Sequence, residues 1–178
     1  MSKRPQVKII VCCDSKYGIG YKGKLPWNIL EEITHFKNMT TYGNNCVIMG
    51  KNTYYSIPEK CRPLDNRKNC ILSSSMNKSD LSYDEKDVRI FNTHFDLIQF
   101  IQKNEYDNYW LIGGESVYHF FLTHYSCLIS EIHLSIIKKI YNCDRYFNFD
   151  LEYFKQIKNE DKGCFDYQVY KNLMFTNK

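Results

Sequence analysis

Glycine and proline are scarce in this chain of 178 residues, with 8 and 4 in all. Three of the glycines and three of the prolines fall in two stretches, 14–26 and 58–67, so long loops are expected there, where function tends to concentrate. No apolar run approaches the roughly 20 residues that cross a bilayer, so no membrane contact is expected. The opening MSKRPQ has no apolar region behind it long enough for a secretory signal. No run of lysine and arginine is long enough to track a phosphate backbone, which argues against nucleic acid as the primary partner. There is no CxxC pair, the vicinal Cys12 and Cys13 lack ligand spacing, and no His/Cys/Asp cluster has it either; no metal is expected. Nor does a chain of this length need a disulfide scaffold. Cys12, Cys13, Cys46 and Cys70 lie in apolar runs, where cysteine acts as a small hydrophobe, and reduced thiols in a cytoplasmic compartment are expected.

What is present suits one domain spanning 1–178, with 43% hydrophobic residues for a core. The formal charge of +4 comes from 24 basic and 20 acidic side chains scattered along the chain. Such a surface attracts an anionic small molecule, or is simply solvated. Continuous apolar runs, VKIIVCC (7–13), CVIMG (46–50), NCILSS (69–74) and YWLIGG (109–114), read as strands buried on both faces. Helical segments at 28–41, 51–56, 94–104 and 115–123 separate them. Thr93 and Asp96 mark the start of the third, with Phe95, Ile98 and Ile101 on one face. After residue 128 the pattern turns to strands: ISEIHLSII, then YFKQIK and FDYQVYKN joined by the turn-rich NEDKG. The fold class is α/β, a mostly parallel central sheet flanked by helices and ending in an antiparallel hairpin.

KGKLPWNILEEITHF (22–36) carries two adjacent acids at a helix start. With Asn28 as N-cap, Glu31 falls at the third helical position, where a carboxylate reaches back to the cap. On a wheel of about 100° per residue, Ile29, Ile33 and Phe36 set the apolar direction. Glu32 lies about 60° from that stripe and Glu31 about 160° away. Glu31 is then a solvent-side acid. Glu32 leans toward the buried face, where a charged carboxylate is costly unless paired. No basic residue stands one turn away on that face, so either a ligand with hydrogen-bond donors or a water-linked arrangement must satisfy it.

GIGYKGKLPWNILEE, FKNMT, VIMGKNTYYSIP, RPLDNRKNCILSSS and WLIGGESVY, in this order and spacing, together resemble the dihydrofolate reductase family over residues 7–171. The resemblance implies the family's fold, dihydrofolate as substrate and NADPH as cofactor. Hydride would pass from nicotinamide C4 to pterin C6, with a proton reaching N5, in support of one-carbon and thymidylate metabolism. Glu32, five positions after the tryptophan of the PW pair, would accept hydrogen bonds from the N3 and 2-amino edge of the pterin and assist protonation. Ser135 would be its hydroxyl partner, in place of the usual threonine.

The resemblance assigns further positions. Ile10 and Ile112 would offer backbone carbonyls to the pterin, with Val11 and Cys12 beside Ile10. Leu25 and Trp27 would belong to the loop that closes over the nicotinamide, and Tyr118 would lie near the reacting rings. Phe36, Ile57 and Leu64 would wall the aminobenzoyl ring, and Arg67 would clamp the α-carboxylate of the glutamate tail. Cofactor contacts would come from Cys12, Ile19, Gly20, Gly23, Lys24, Gly50, Lys51, Asn52, Thr53, Leu72, Ser73, Ser74, Ile112, Gly113, Gly114, Glu115, Ser116, Val117 and Tyr118, with Ser73 and Ser74 at the adenosine 2′-phosphate. Departures from the family pattern are Asn52 and Ser74, where relatives carry cations, and Cys143, often glycine; Asp144 is retained. No segment resembles thymidylate synthase, so a monofunctional monomer is expected. Two other readings are a pyrimidine reductase of riboflavin synthesis, which shares the fold, and a folate- or nucleic-acid-binding protein without turnover. Glu32 after LPW and Arg67 argue against the former, and dispersed tyrosines argue against the latter.

Overall fold

In the computed structural model, which describes residues 4–81 and 87–175, the apolar runs become the strands of one sheet. In chain order the strands are β1 (Val7–Asp14), β2 (Gly18–Gly20), β3 (Asn45–Gly50), β4 (Lys68–Leu72), β5 (Val88–Phe91), β6 (Asn108–Gly113), β7 (Ile129–Ile137), β8 (Arg145–Tyr146), β9 (Phe154–Asp161) and β10 (Phe165–Asn172). The helices are α1 (Leu30–Thr41), α2 (Lys51–Ser56), α3 (His94–Gln102) and α4 (Glu115–His124). Eight strands join in the order β5-β4-β3-β6-β1-β7-β10-β9, while β2 pairs with β8 apart from them. Neighbouring strands from β5 to β7 are parallel, and β10 runs antiparallel to both β7 and β9. The expected parallel sheet with a terminal hairpin is therefore present, and β10 is inserted between β7 and β9.

Both faces of the sheet are covered, which is why its central strands are apolar without alternation. Val7, Ile9, Val11 and Cys13 of β1 pack with Leu97, Ile101, Val117 and Phe121 of α3 and α4. Ile10 points the other way, with Val47, Met49 and Trp110, against Phe36 and Met39 of α1. Among the described residues no helix is long and apolar enough to cross a membrane.

Four local expectations shift. Helix α1 begins at Leu30, capped by Ile29 in extended conformation (φ −115°, ψ 107°) with no side-chain cap, so Asn28 is not its N-cap. Trp27 is buried with Ile137, Phe165, Tyr167 and Val169, which holds the chain extended past Asn28. Glu31 thereby becomes the second helical residue, exposed, and Glu32 the third. Ile33, placed on the apolar stripe by the wheel, is 46% exposed. In α3, Thr93 does cap the helix, accepting from the Asp96 amide at 3.1 Å. Phe95, however, sits in the first turn and faces solvent, while Leu97, Ile98, Phe100 and Ile101 are buried. β5, only four residues long with Arg89 in it, carries too short an apolar signal to be anticipated.

The loop 14–26 is not free chain. Asp14, fully buried, accepts from the amides of Lys16 and Gly18 at 2.8 Å each and from Tyr141 at 3.0 Å. Asp144 accepts from the Lys22 amide at 3.0 Å, and its own amide donates to Gly20 at 2.9 Å. Gly18 must be glycine: a Cβ there would stand 2.5 Å from the Cys143 sulfur. Replacing Asp14 by alanine leaves three amides without their acceptor and is expected to destabilise the protein by about 2–3 kcal/mol, read from urea unfolding.

Candidate active site

β1 pairs with β6 only through Val7–Ile9, opposite Tyr109–Leu111, whereas it stays paired with β7 as far as Asp14. Beyond that point β1 and β6 part, and the carboxyl ends of parallel strands that diverge are where α/β sheets take ligands. Ile10 and Cys12 stand on one side of the opening, Ile112 and Gly113 on the other. Tyr118 of α4 reaches in, its hydroxyl donating to the Ile10 carbonyl at 2.9 Å. That carbonyl keeps one lone pair for a ligand. Burial pushes the Tyr118 pKa up, with the neighbouring Cys12, Glu32 and Cys13 adding to the shift.

Glu32 enters from α1 and is 6% exposed. Burial raises its pKa, and hydrogen bonds from the Ser135 and Cys12 side chains partly offset this. Those donors are register partners on adjacent strands, Cys12 on β1 and Ser135 on β7. Among the described residues no ion pair reaches Glu32. Nearby, Trp27 is packed on Tyr141 (ring centroids 5.3 Å apart), and its buried indole nitrogen has no hydrogen-bond partner among the described residues. A carboxylate with no cation and a donor with no acceptor thus occur together. Leu25, Leu30 and Ile33 expose apolar surface on the loop and helix that carry this pair. The Val11 side chain is buried against α3 and α4 on the opposite face. Only its backbone is left to the cleft.

Farther along α1, Phe36 packs against the same core cluster as Ile57 and Leu64. Arg67 is 7% exposed and lies over the Phe36 ring at 5.9 Å. Its Nη1 donates to Thr40 Oγ1 at 2.7 Å and its Nε to the Asp65 carbonyl at 2.9 Å. Desolvation lowers its pKa, opposed by Asp65. The guanidinium is thus oriented by neutral oxygens, and among the described residues it makes no ion pair.

On the other side of the opening, the starts of α2 and α4 adjoin. A Cβ on Gly114 would stand 3.2 Å from Thr53 Oγ1, and one on Gly50 3.5 Å from Val117. Gly113 has φ +119° and is joined to Gly114 by a cis peptide; a Cβ on it would meet the Tyr118 hydroxyl at 3.3 Å. The first amides of a helix lack intrahelical acceptors and favour anionic groups. Leu72 and Ile19 are half-buried against the core, Lys51 and Thr53 are half-buried, and Asn52, Ser74, Ser116, Gly23 and Lys24 are exposed. Gly20 is buried where β2 meets β8.

Two of the expected cofactor residues have side chains that accept from nearby amides. The Ser73 hydroxyl turns inward and accepts from the amides of Ser75 and Met76, because buried Met76 draws the turn back onto the sheet. Glu115 accepts from the Tyr146 amide at 3.1 Å and Arg145 at 3.5 Å, so its side chain latches the β8 loop. Ser75, which the motifs did not single out, takes a hydrogen bond from Lys51 Nζ at 3.4 Å. Nothing in the sequence marks Ser75 above its two serine neighbours; only the turn does.

The family model described as Dihydrofolate reductase matches residues 6–176. The chain belongs to the dihydrofolate reductase family. It is 33% identical to the dihydrofolate reductase of Heliothis virescens, over 93% of this chain and 96% of that one. It is 35% identical to that of Candida albicans, over 90% and 85%. It is also 34% identical to a bifunctional dihydrofolate reductase-thymidylate synthase of Paramecium tetraurelia, over 85% of this chain but 31% of that protein. As a family member it is an oxidoreductase that reduces dihydrofolate to tetrahydrofolate with a nicotinamide cofactor, a step of one-carbon metabolism. Among the described residues no three His, Cys, Asp or Glu are grouped to hold a metal.

The buried acid of this dihydrofolate reductase family member has a consequence for stability. Because the folded pKa of Glu32 lies above the ordinary 4.5, the native state retains a proton that the unfolded chain has released, and stability declines as pH rises through that window. Glu32→Gln removes the decline. Without ligands, E32Q is expected to melt a few degrees above the parent at neutral pH, with no advantage below pH 4.5, by calorimetry at the two pH values.

Proposed function

We propose that the chain catalyses NADPH-dependent reduction of dihydrofolate, with Glu32 as the residue that anchors the pterin and assists protonation at N5. One observation carries this reading: Glu32 is buried on the cleft face of α1 and unpaired by any cation among the described residues. A carboxylate has about four lone-pair positions. With no cation on it, the carboxylate keeps positions for a ligand edge that presents adjacent N–H groups, which is what the pterin offers. The carboxyl's raised pKa keeps a proton available nearer to neutrality, as a general acid requires. The unpartnered Trp27 indole N–H suits an ordered water in the proton path.

The remaining roles follow from placement. Phe36, Ile57 and Leu64 wall the aminobenzoyl ring, and Arg67, oriented by Thr40 and the Asp65 carbonyl, takes the α-carboxylate of the tail. The nicotinamide cofactor supplies the hydride when bound. The backbone at Gly113 and Gly114, where side chains have no room, and the first amides of α4 suit its pyrophosphate. Lys51 and Ser75 are the polar groups offered to the 2′-phosphate, with Ser74 exposed beside them. The loop latched by Asp14, Asp144 and Glu115 holds Leu25 and Trp27 where they exclude water from the reacting rings. Eight free thiols accord with a reducing, cytoplasmic compartment, and the chain is proposed to act as a monomer.

Loss of NADPH absorbance with dihydrofolate tests the reading directly; a pure protein that binds folate without turnover would overturn it. E32Q is expected to lose about a hundredfold or more in rate, and Glu31→Gln about twofold at most. Equal losses would contradict the separation of the two acids by the helix. Initial rates with NADPH are expected to exceed those with NADH, and Lys51→Met to shrink that ratio by several-fold; an unchanged ratio would remove Lys51 from the phosphate site.

A further inference from the structure

Under α1 a polar chain crosses three strands of the sheet. Tyr167 of β10 is the register partner of Ser135 on β7, yet its hydroxyl leans one row down and meets His133 Nδ1 at 2.7 Å. His133 Nε2 meets Glu131 at 3.0 Å, and Glu131 meets Lys8 of β1 at 3.0 Å. Tyr167 and His133 are both buried. Helix α1 lies against the phenol: the His35 ring stands edge-on to it with centroids 4.3 Å apart, and Met39 Sδ is 4.0 Å from its oxygen. His35 and Met39 are one turn apart, on the helix face that also holds Glu32 and Phe36. We infer that the His133–Tyr167 hydrogen bond is the seat of α1, and that both are positioning residues for the substrate contacts this helix carries. This rests on the proposed placement of dihydrofolate against Glu32 and Phe36.

The protons in this chain have one consistent order. The hydrogen bond from His133, with Lys8 adding to it, holds the Glu131 carboxyl down to about 2. An ionised carboxylate only accepts, so His133 Nε2 carries the proton between them. Burial lowers the His133 pKa against the pull of Glu131, so the ring is neutral and its Nδ1 is bare. Burial also pushes the Tyr167 phenol up to about 12, so it keeps its one proton and donates it to that nitrogen. At 4.0 Å, Met39 is left with a packing contact. Trp110 of β6 is edge-on to the imidazole at 4.9 Å, and Lys158 of β9 lies over the phenol at 5.1 Å. A phenol anchored through its oxygen cannot slide beneath the helix. Glu32, Phe36 and Thr40, the last holding Arg67 at 2.7 Å, all ride on that helix. Without the anchor, contacts made equally by bound substrate and transition state weaken together, a loss that appears in KM rather than kcat.

Tyr167→Phe deletes one oxygen and keeps the ring. It is expected to raise KM and Kd for dihydrofolate about fivefold, with kcat within about twofold and KM for NADPH unchanged. Two replacements of His133 separate its nitrogens. His133→Asn sets an acceptor near the Nδ1 position and gives up the bond to Glu131, whereas His133→Gln does the reverse. H133N is expected to stay within about twofold of the parent in dihydrofolate affinity, and H133Q to follow Y167F. Nitrogen-15 NMR of the parent at neutral pH should show a protonated Nε2 and a bare Nδ1, a readout that holds even where a His133 variant does not fold. Unchanged dihydrofolate affinity in Y167F overturns the inference. So does an equal loss for both substrates, which would be general loosening, and so does an H133N that follows H133Q or a protonated Nδ1. An E32Q protein that binds dihydrofolate as tightly as the parent would overturn the reading of the site instead. Faster amide exchange confined to α1 in Y167F, with the nitrogen spectrum as expected, would then leave the seat of the helix standing.

Discussion

A buried carboxylate without a counterion is the constraint on which the rest of this molecule turns. Left alone, such a group either draws in a cation or takes up a proton. Here burial raises the pKa of Glu32 while two uncharged donors hold it part-way back. An arginine or lysine in their place would have stabilised the anion, filled its lone pairs and removed its affinity for both a proton and a ligand. Neutral donors leave the acid unsatisfied to a controlled degree. Arg67 repeats the arrangement with the opposite charge, since it is oriented by a hydroxyl and a carbonyl rather than by an acid.

That degree of control depends on the topology of the sheet. Cys12 and Ser135 come from β1 and β7, the acid from α1 after β2, and the opposing wall from the end of β6. Parallel strands with their crossovers on both faces bring these chain-distant groups to one end of the sheet. The parting of β1 from β6 then admits a flat ligand without breaking the hydrogen bonds below it. Carboxylates that do not belong to the cleft serve it indirectly. Asp14, Asp144 and Glu115 each accept main-chain amides of the loops on either side of the β2–β8 pair. Their charge is spent on loop geometry, and loop geometry places Trp27.

The cofactor half is organised by backbone more than by side chains. Ser73 and Glu115 match the family's motifs in position, yet both side chains are turned to local amides. Lys51 finds Ser75 instead, one residue beyond the serines the motif selected. Motif matching places the main chain well because strand ends and helix starts are fixed by the sheet. It does not resolve which of three consecutive serines a tight turn directs outward.

The buried runs and the difference between Glu31 and Glu32 were legible in the chain, because each depends on local pattern: apolar continuity along a strand and a period of about 3.6 along a helix. The Thr93 cap was legible for a similar reason, since it is a contact over three residues. The true start of α1 was not, because Trp27 is buried by strands more than a hundred residues away and that burial overrides the local capping preference of Asn28. Exposure of Ile33 and Phe95 was hidden too, as a wheel gives a direction but not whether protein lies in it. That Glu32 would be short of a partner came from the helix period; that Cys12 stands beside Ser135 on the adjacent strand came only from the register of β1 against β7. Local patterns determine which face a residue presents, and long-range pairing alone decides what it meets there.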